Sequence, residues 1–165
     1  LGWNLLNLSH RVIEDPPLHI VLYQPEIPHN TGNIARLCAA TMLRLHLIFP
    51  LGFSVDNRYL KRAGLDYWQE VDIRYYKDYD EFLKIVPDNI FIIGFSVHAK
   101  RPYTEAKVTH GTYLMFGPET RGLPKEIRDT ILCYRIPIWG KVRSLNLSTS
   151  VGIVAYHYLY SMGYF

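Results

Sequence analysis

Between positions 18 and 161 short apolar runs alternate with segments of helical spacing. LHIVLY at 18–23 is β-branched and apolar, and PEIPHNTGN after it is rich in turn residues. Beyond that turn Ile34, Leu37, Cys38 and Thr41 recur at offsets of three and four, which predicts a helix through NIARLCAATM. LHLIF at 45–49 predicts a second strand, and a helix is expected from near Asp78 through FLKIV at 82–86. NIFIIGF at 89–95 and TYLMF at 112–116 predict two further strands. A helix over 124–131 opens with Pro124 at a first-turn position, where a missing N–H costs nothing. YRIPI at 134–138 predicts a last strand, and a long helix is expected over 148–161. Strands that alternate with helices predict an α/β fold, a mostly parallel sheet flanked by helices.

A chain of 165 residues is one domain long and can bury a core without disulfides or metal. The single domain is expected over 18–165, and residues 1–17, LGWNLLNLSHRVIEDPP, form an unassigned N-terminal extension. Glu14 and Asp15 argue against a transit peptide there, and the apolar run is too interrupted for a signal peptide. No apolar run approaches the roughly 20 residues that span a bilayer, so no membrane partner is expected. Cys38 and Cys133 have no partner at a metal-site spacing and read as thiols of a reducing compartment, which points to the cytoplasm.

Net charge is +3, from 18 Lys and Arg against 15 Asp and Glu, which permits a polyanionic partner without demanding one. Arg58, Lys61 and Arg62 fall on one face of a helix, either a solvated face or a contact for a polyanion. Lys141 and Arg143 carry the same two readings.

Three loops that follow strands concentrate glycine, polar residues and arginine: PEIPHNTGNIAR with Arg36, GPETRGLP with Arg121, and WGKVRSLNLSTS with Arg143. Ligands of open parallel sheets bind at such strand ends. Each loop also has a plain reading: Thr31 or Asn33 capping a helix, a tight turn with an exposed ion pair, and the capped start of the last helix.

Taken in order, NTGNIAR, LMFGPETRGLP and RIPI with SLNLSTSV resemble the three-motif signature of the SPOUT superfamily of trefoil-knot RNA methyltransferases. IVLYQPEIPHNTGNIARLCAAT, PLGF at 50–53 and KRAGLDY at 61–67 resemble its YibK-like branch, the tRNA (cytidine/uridine-34) 2′-O-methyltransferases. The resemblance implies a C-terminal knot, a homodimer, tRNA as substrate and S-adenosylmethionine as cofactor. It implies a cofactor cleft lined by Ile93, Gly117, Glu119, Ile136, Ile138, Ser144, Leu145 and Asn146, with Gly117 keeping space free for a flat ligand. It assigns Arg36 and Tyr156 to catalysis, and Asn30, Asn33, Arg58, Lys61, Arg62 and Arg143 to the RNA. Glu119 either orients Arg36 or meets the cofactor's ammonium group, and Tyr156 either orients the substrate or packs. Val142 stands where the family commonly has serine, and Leu145 where it commonly has methionine.

Methylating a ribose hydroxyl from a sulfonium needs alignment and activation of the hydroxyl and requires no metal. Arg36 suits the role of electrostatic orienter, since guanidinium does not readily give up a proton. The alternatives are an rRNA ribose methyltransferase and a knotted RNA-binding module without catalysis. A nucleotide-linked oxidoreductase is disfavoured because no GxGxxG follows the first strand.

Overall fold

The computed structural model describes residues 10–55 and 67–165, so the cationic trio Arg58, Lys61 and Arg62 lies outside the described residues. Six strands form one sheet: β1 (Leu18–Tyr23), β2 (Arg44–Ile48), β3 (Asp72–Tyr76), β4 (Ile92–Phe95), β5 (Thr112–Phe116) and β6 (Leu132–Tyr134). Helices whose two ends fall among the described residues are α1 (Pro28–Thr41), α2 (Tyr79–Leu83), α3 (Lys125–Arg128) and α4 (Leu147–Ser161), with a short 3-10 turn at Tyr103–Glu105. Strand order is β3-β2-β1-β5-β4-β6 and every pairing is parallel. The chain builds outward from β1 through β2 and β3, then crosses to place β4, β5 and β6 on the other side. The switch falls between β1 and β5, where the loops after neighbouring strands diverge and open a crevice.

Alternation along β1 sends Leu18, Ile20 and Leu22 into one core layer and Val21 into the other. The first layer holds Leu45, Leu47, Ile93, Phe95, Leu114 and Phe116 of the neighbouring strands under α1 and α4. The second holds Ile48, Tyr76, Tyr113 and Met115 with Phe82 of α2 and Ile127 of α3. Both faces of the sheet are therefore dry, as a parallel sheet requires. A polar thread runs through the second layer: His19 Nδ1 lies 2.8 Å from His46 Nε2, and His46 Nδ1 lies 2.8 Å from the Tyr76 hydroxyl.

Several boundaries differ from the sequence reading. The helix expected from Asn33 begins five residues earlier, at Pro28, whose fixed φ suits a first helical position. Neither Asn33 nor Thr31 caps it; Thr31 is buried within the helix, and the N-cap residue Ile27 has no side chain that could cap it. The last strand ends at Tyr134 instead of running to Ile138, because Pro137 has no N–H to give a ladder and 136–138 turn away from the sheet. Arg135 still bridges to the Pro102 region, donating its N–H to the Arg101 carbonyl at 2.8 Å. Pro124 is the N-cap of α3, one position before the expected place, and α2 stops at Leu83.

Strand β3 is an addition to the sequence reading. Its alternation, Asp72-Ile73-Arg74-Tyr75, was the available signal, masked by charge on one face. Asp72 is only 1% exposed and receives three donors: Arg44 Nε at 2.8 Å, Arg74 Nε at 2.8 Å and the Ile13 N–H at 2.9 Å. Burial alone would raise its carboxyl, but the hydrogen bonds from Arg74, Ile13 and Arg44 leave it below its ordinary value. Residues 10–17 are thereby fastened to the sheet, with Ile13 buried and His10 Nδ1 3.1 Å from the Trp68 carbonyl oxygen.

Candidate active site

The loops after β1, β4, β5 and β6 surround a cavity of about 560 Å³. Its floor includes Phe95 and Phe116, whose rings stack at 4.8 Å where their strands end. Ile136, Ile138 and Leu145 make one apolar wall, and the GPETRG turn makes another. Volume and composition suit a small molecule with a flat apolar part and a few polar handles.

The GPETRG turn is set by its own backbone. The Pro118 carbonyl accepts the Gly122 N–H at 2.8 Å, and Gly122 takes φ +67°, a conformation that disfavours side chains. The peptide joining Gly122 to Leu123 then folds against Gly117 so closely that a Cβ there would stand 2.2 Å from backbone atoms. Gly117 is thus required by an approach of the chain to itself, a different reason from the ligand space that its motif suggests.

Glu119 reaches the start of α1. Its carboxylate accepts the N–H of Glu26 at 2.7 Å and of Ile27 at 2.9 Å, and the Asn30 side-chain amide at 3.3 Å. It serves donors that the local sequence of α1 leaves without a side-chain cap. Arg36 is not among its hydrogen-bond partners, and Glu119 also lines the cavity. In return the Glu26 carboxylate accepts the Thr120 N–H at 3.0 Å and its hydroxyl at 2.7 Å, which holds Glu26 below the usual carboxylate range.

Asn30, 5% exposed, links the loops further, since its Oδ1 accepts Asn146 Nδ2 at 3.0 Å. Asn146 caps α4, its Oδ1 accepting from Ser148 N at 2.9 Å and Thr149 N at 3.3 Å. The capping reading of SLNLSTS is therefore correct for this side chain. Asn146, Asn30 and Glu119 form one hydrogen-bonded line across three loops.

Of the residues that the resemblance assigns to the cofactor, Gly117, Glu119, Ile136, Ile138, Ser144, Leu145 and Asn146 line the cavity. Ile93 does not line it; it is 3% exposed within β4, two residues before the strand end. Asn30 and Arg143 line the cavity as well, and Asn33 is exposed on α1 outside it. Arg36 is also exposed on α1 and outside the lining, with its guanidinium 4.9 Å from the centre of the Tyr67 ring. Tyr156 lies on the outer face of α4 against Phe165, ring centres 6.2 Å apart, and does not line the cavity. Sequence reasoning placed Ile27 and Arg121 in strand-end loops without assigning them to the site, and missed Phe95, whose position as the last residue of β4 was the available signal. Among the described residues no group of three or more His, Cys, Asp or Glu could hold a metal ion. Nor is any helix among them long and apolar enough to cross a membrane.

Parallel strands ending in a crevice of glycine-bearing loops define an open α/β protein with its ligand cleft at the strand ends. Residues 17–156 match the SpoU rRNA Methylase family, and the chain belongs to that family. The tRNA (cytidine(34)-2′-O)-methyltransferase of Escherichia coli (strain K12) is 46% identical over 154 residues, covering 89% of this chain and 95% of the relative. That of Yersinia pestis is 45% identical over 159 residues, covering 89% and 95%. A solved structure described as "Structural insights into the 2-OH methylation of C/U34 on tRNA" superposes with TM-score 0.84 at 49% identity, covering 86% of this chain and 94% of that one. The SpoU methyltransferase AviRb of Streptomyces viridochromogenes, in complex with AdoMet, shares the fold at TM-score 0.81 and 20% identity, covering 94% of this chain and 61% of its own. The resemblance read from the three motifs is borne out.

Proposed function

We propose that the protein transfers a methyl group from S-adenosylmethionine to the ribose 2′-hydroxyl of the nucleotide at position 34 of tRNA. The observation that carries this reading is the cavity itself: the GPETRG and SLN motifs, 22 or more residues apart in sequence, meet around one space tied together by Asn30. S-adenosylmethionine supplies an electrophilic methyl carbon when bound. The apolar wall of Ile136, Ile138 and Leu145 suits its adenine, and the fixed GPETRG turn presents backbone beside it. Arg121 and Arg143 put positive charge at the mouth for RNA phosphates.

Arg36 acts on the substrate side in this reading, held by the Tyr67 face outside the cofactor cavity, and stabilises charge on the attacking oxygen. The reading includes a homodimer. It is supported by exposed Tyr156, Tyr160 and Phe165 clustered at the end of α4, a patch suited to covering by a second copy. Tyr156 then works from that contact. Asn33 and the basic segment 58–62 belong to the RNA side. The reading also includes the C-terminal trefoil knot, supported by β4 lying between β5 and β6 with α4 packed on α1, and a cytoplasmic location with tRNA.

The test is transfer of labelled methyl to unmodified tRNA, followed by nuclease digestion to nucleosides. The expected product is 2′-O-methylcytidine or 2′-O-methyluridine from position 34. A base-methylated nucleoside, or transfer to rRNA in preference to tRNA, refutes it.

A further inference from the structure

Trp139 is 93% exposed, the most exposed large apolar side chain among the described residues. Its neighbours belong to the cavity: Ile138 precedes it, Arg143 follows four residues later, and both are lining residues. Trp139 therefore sits on the segment that edges the site, between two residues that line it. Gly140 beside it has nothing within 4 Å of where a Cβ would be, so the backbone next to Trp139 is uncrowded. Lys141 and Arg143 are exposed and make no ion pair among the described residues.

A broad aromatic left in water forgoes a large burial gain, so the position calls for a partner. Flat π surface beside unpaired cations is the combination that holds single-stranded nucleic acid: a base stacks on the ring while phosphates meet the charges. We infer that Trp139 is a stacking platform for one nucleobase of the RNA strand beside the methylated ribose, with Lys141 and Arg143 on the adjoining phosphates. This rests on the ribose-methylation reading, which brings an unpaired RNA loop to the same mouth. It adds a base contact that tolerates any sequence, because every base has a π face.

The experiment uses the full chain, an anticodon stem-loop RNA and the variants Trp139→Ala and Trp139→Phe. Trp139→Ala is expected to raise KM for the RNA by about ten- to a hundredfold, the loss of one stacked base. Its kcat should stay within about twofold, and cofactor affinity should not change. Trp139→Phe keeps a ring and should recover most of the loss. In a background with Trp3 and Trp68 changed to Phe, indole emission should be quenched by the stem-loop. It should not be quenched by the same RNA with abasic residues flanking the methylated position. Unchanged KM in Trp139→Ala, or equal quenching by the abasic RNA, overturns the inference. So does weakened cofactor binding, which would make the indole a cover for the cavity, or dissociation in sedimentation, which would make it a contact between copies. If the unaltered protein methylates no tRNA, the broader reading fails instead, and the emission assay still decides whether a base stacks here.

Discussion

Glu119 accepts the backbone N–H of Glu26 at 2.7 Å, while Glu26 accepts the backbone N–H of Thr120 at 3.0 Å. Two acids of like charge clasp each other's loops through amide donors, and the charge of Arg121 adds to the hydrogen bonds that favour the Glu26 carboxylate. Glu119→Ala strands two amide donors at the head of α1 and should lower unfolding free energy by about 2 kcal/mol. Cofactor affinity should fall at least about tenfold with it, because the α1 and GPETRG walls lose their tie. Glu119→Gln keeps one acceptor and should fall between. Urea titration and calorimetry check both effects; an Ala variant with normal affinity would separate the clasp from the cavity.

Arg36 stands apart from the cavity, over Tyr67. Arg36→Ala should therefore leave cofactor affinity unchanged and slow single-turnover methyl transfer by about a hundredfold. Lysine should rescue poorly, having lost the planar fork. Loss of cofactor binding in Arg36→Ala would place the residue in the cavity and contradict the geometry.

The general plan of strands and helices was legible because apolar runs and helical offsets are local. What was not legible came from contacts across long stretches of chain. The start of α1 is capped by Glu119, 92 positions away from Ile27, so no reading of NTGN could have found it. Strand β3 hides its pattern because Asp72 is a charged residue at a buried position, satisfied there by Arg44, Arg74 and the Ile13 amide. The motif residues of the site were visible as types; that Ile93 is a core residue and Gly117 a self-contact needed the folded chain.

Asp72 is a buried acid with two arginines and an amide on it. Asp72→Ala leaves Arg44, 18% exposed, without its partner and should cost about 3 kcal/mol. It should also free residues 10–13, read as faster proteolysis near Ile13. Unchanged proteolysis alongside lost stability would mean that the remaining ties suffice to hold the segment: Arg44 on the Ile13 carbonyl, the Arg11 N–H on the Gln69 carbonyl, and His10 at Trp68.

Burial holds the His19 imidazole down to about 4 and His46 well below its ordinary value, so both are neutral in the folded protein at neutral pH. Between pH 6.5 and 4 the unfolded chain binds protons at these positions that the folded chain refuses. Stability is therefore complete above about pH 6.5 and falls as pH drops, on the order of 3 kcal/mol for His19 alone. Unfolding midpoints at pH 8, 6 and 4.5 should decline in that order, and His19→Asn should flatten the decline. A pH-independent midpoint would mean that the His19–His46–Tyr76 thread accepts charge without strain.

The turn in which Gly117 touches the peptide after Gly122 takes its shape from contacts of the chain with itself. A loop that must be gathered around a small molecule gives up freedom of motion on every binding event, and the association weakens by that amount. Here the gathering belongs to folding and happens once per molecule. On the proposed reading, cofactor then comes and goes at a rim whose form the chain's own contacts maintain from one turnover to the next.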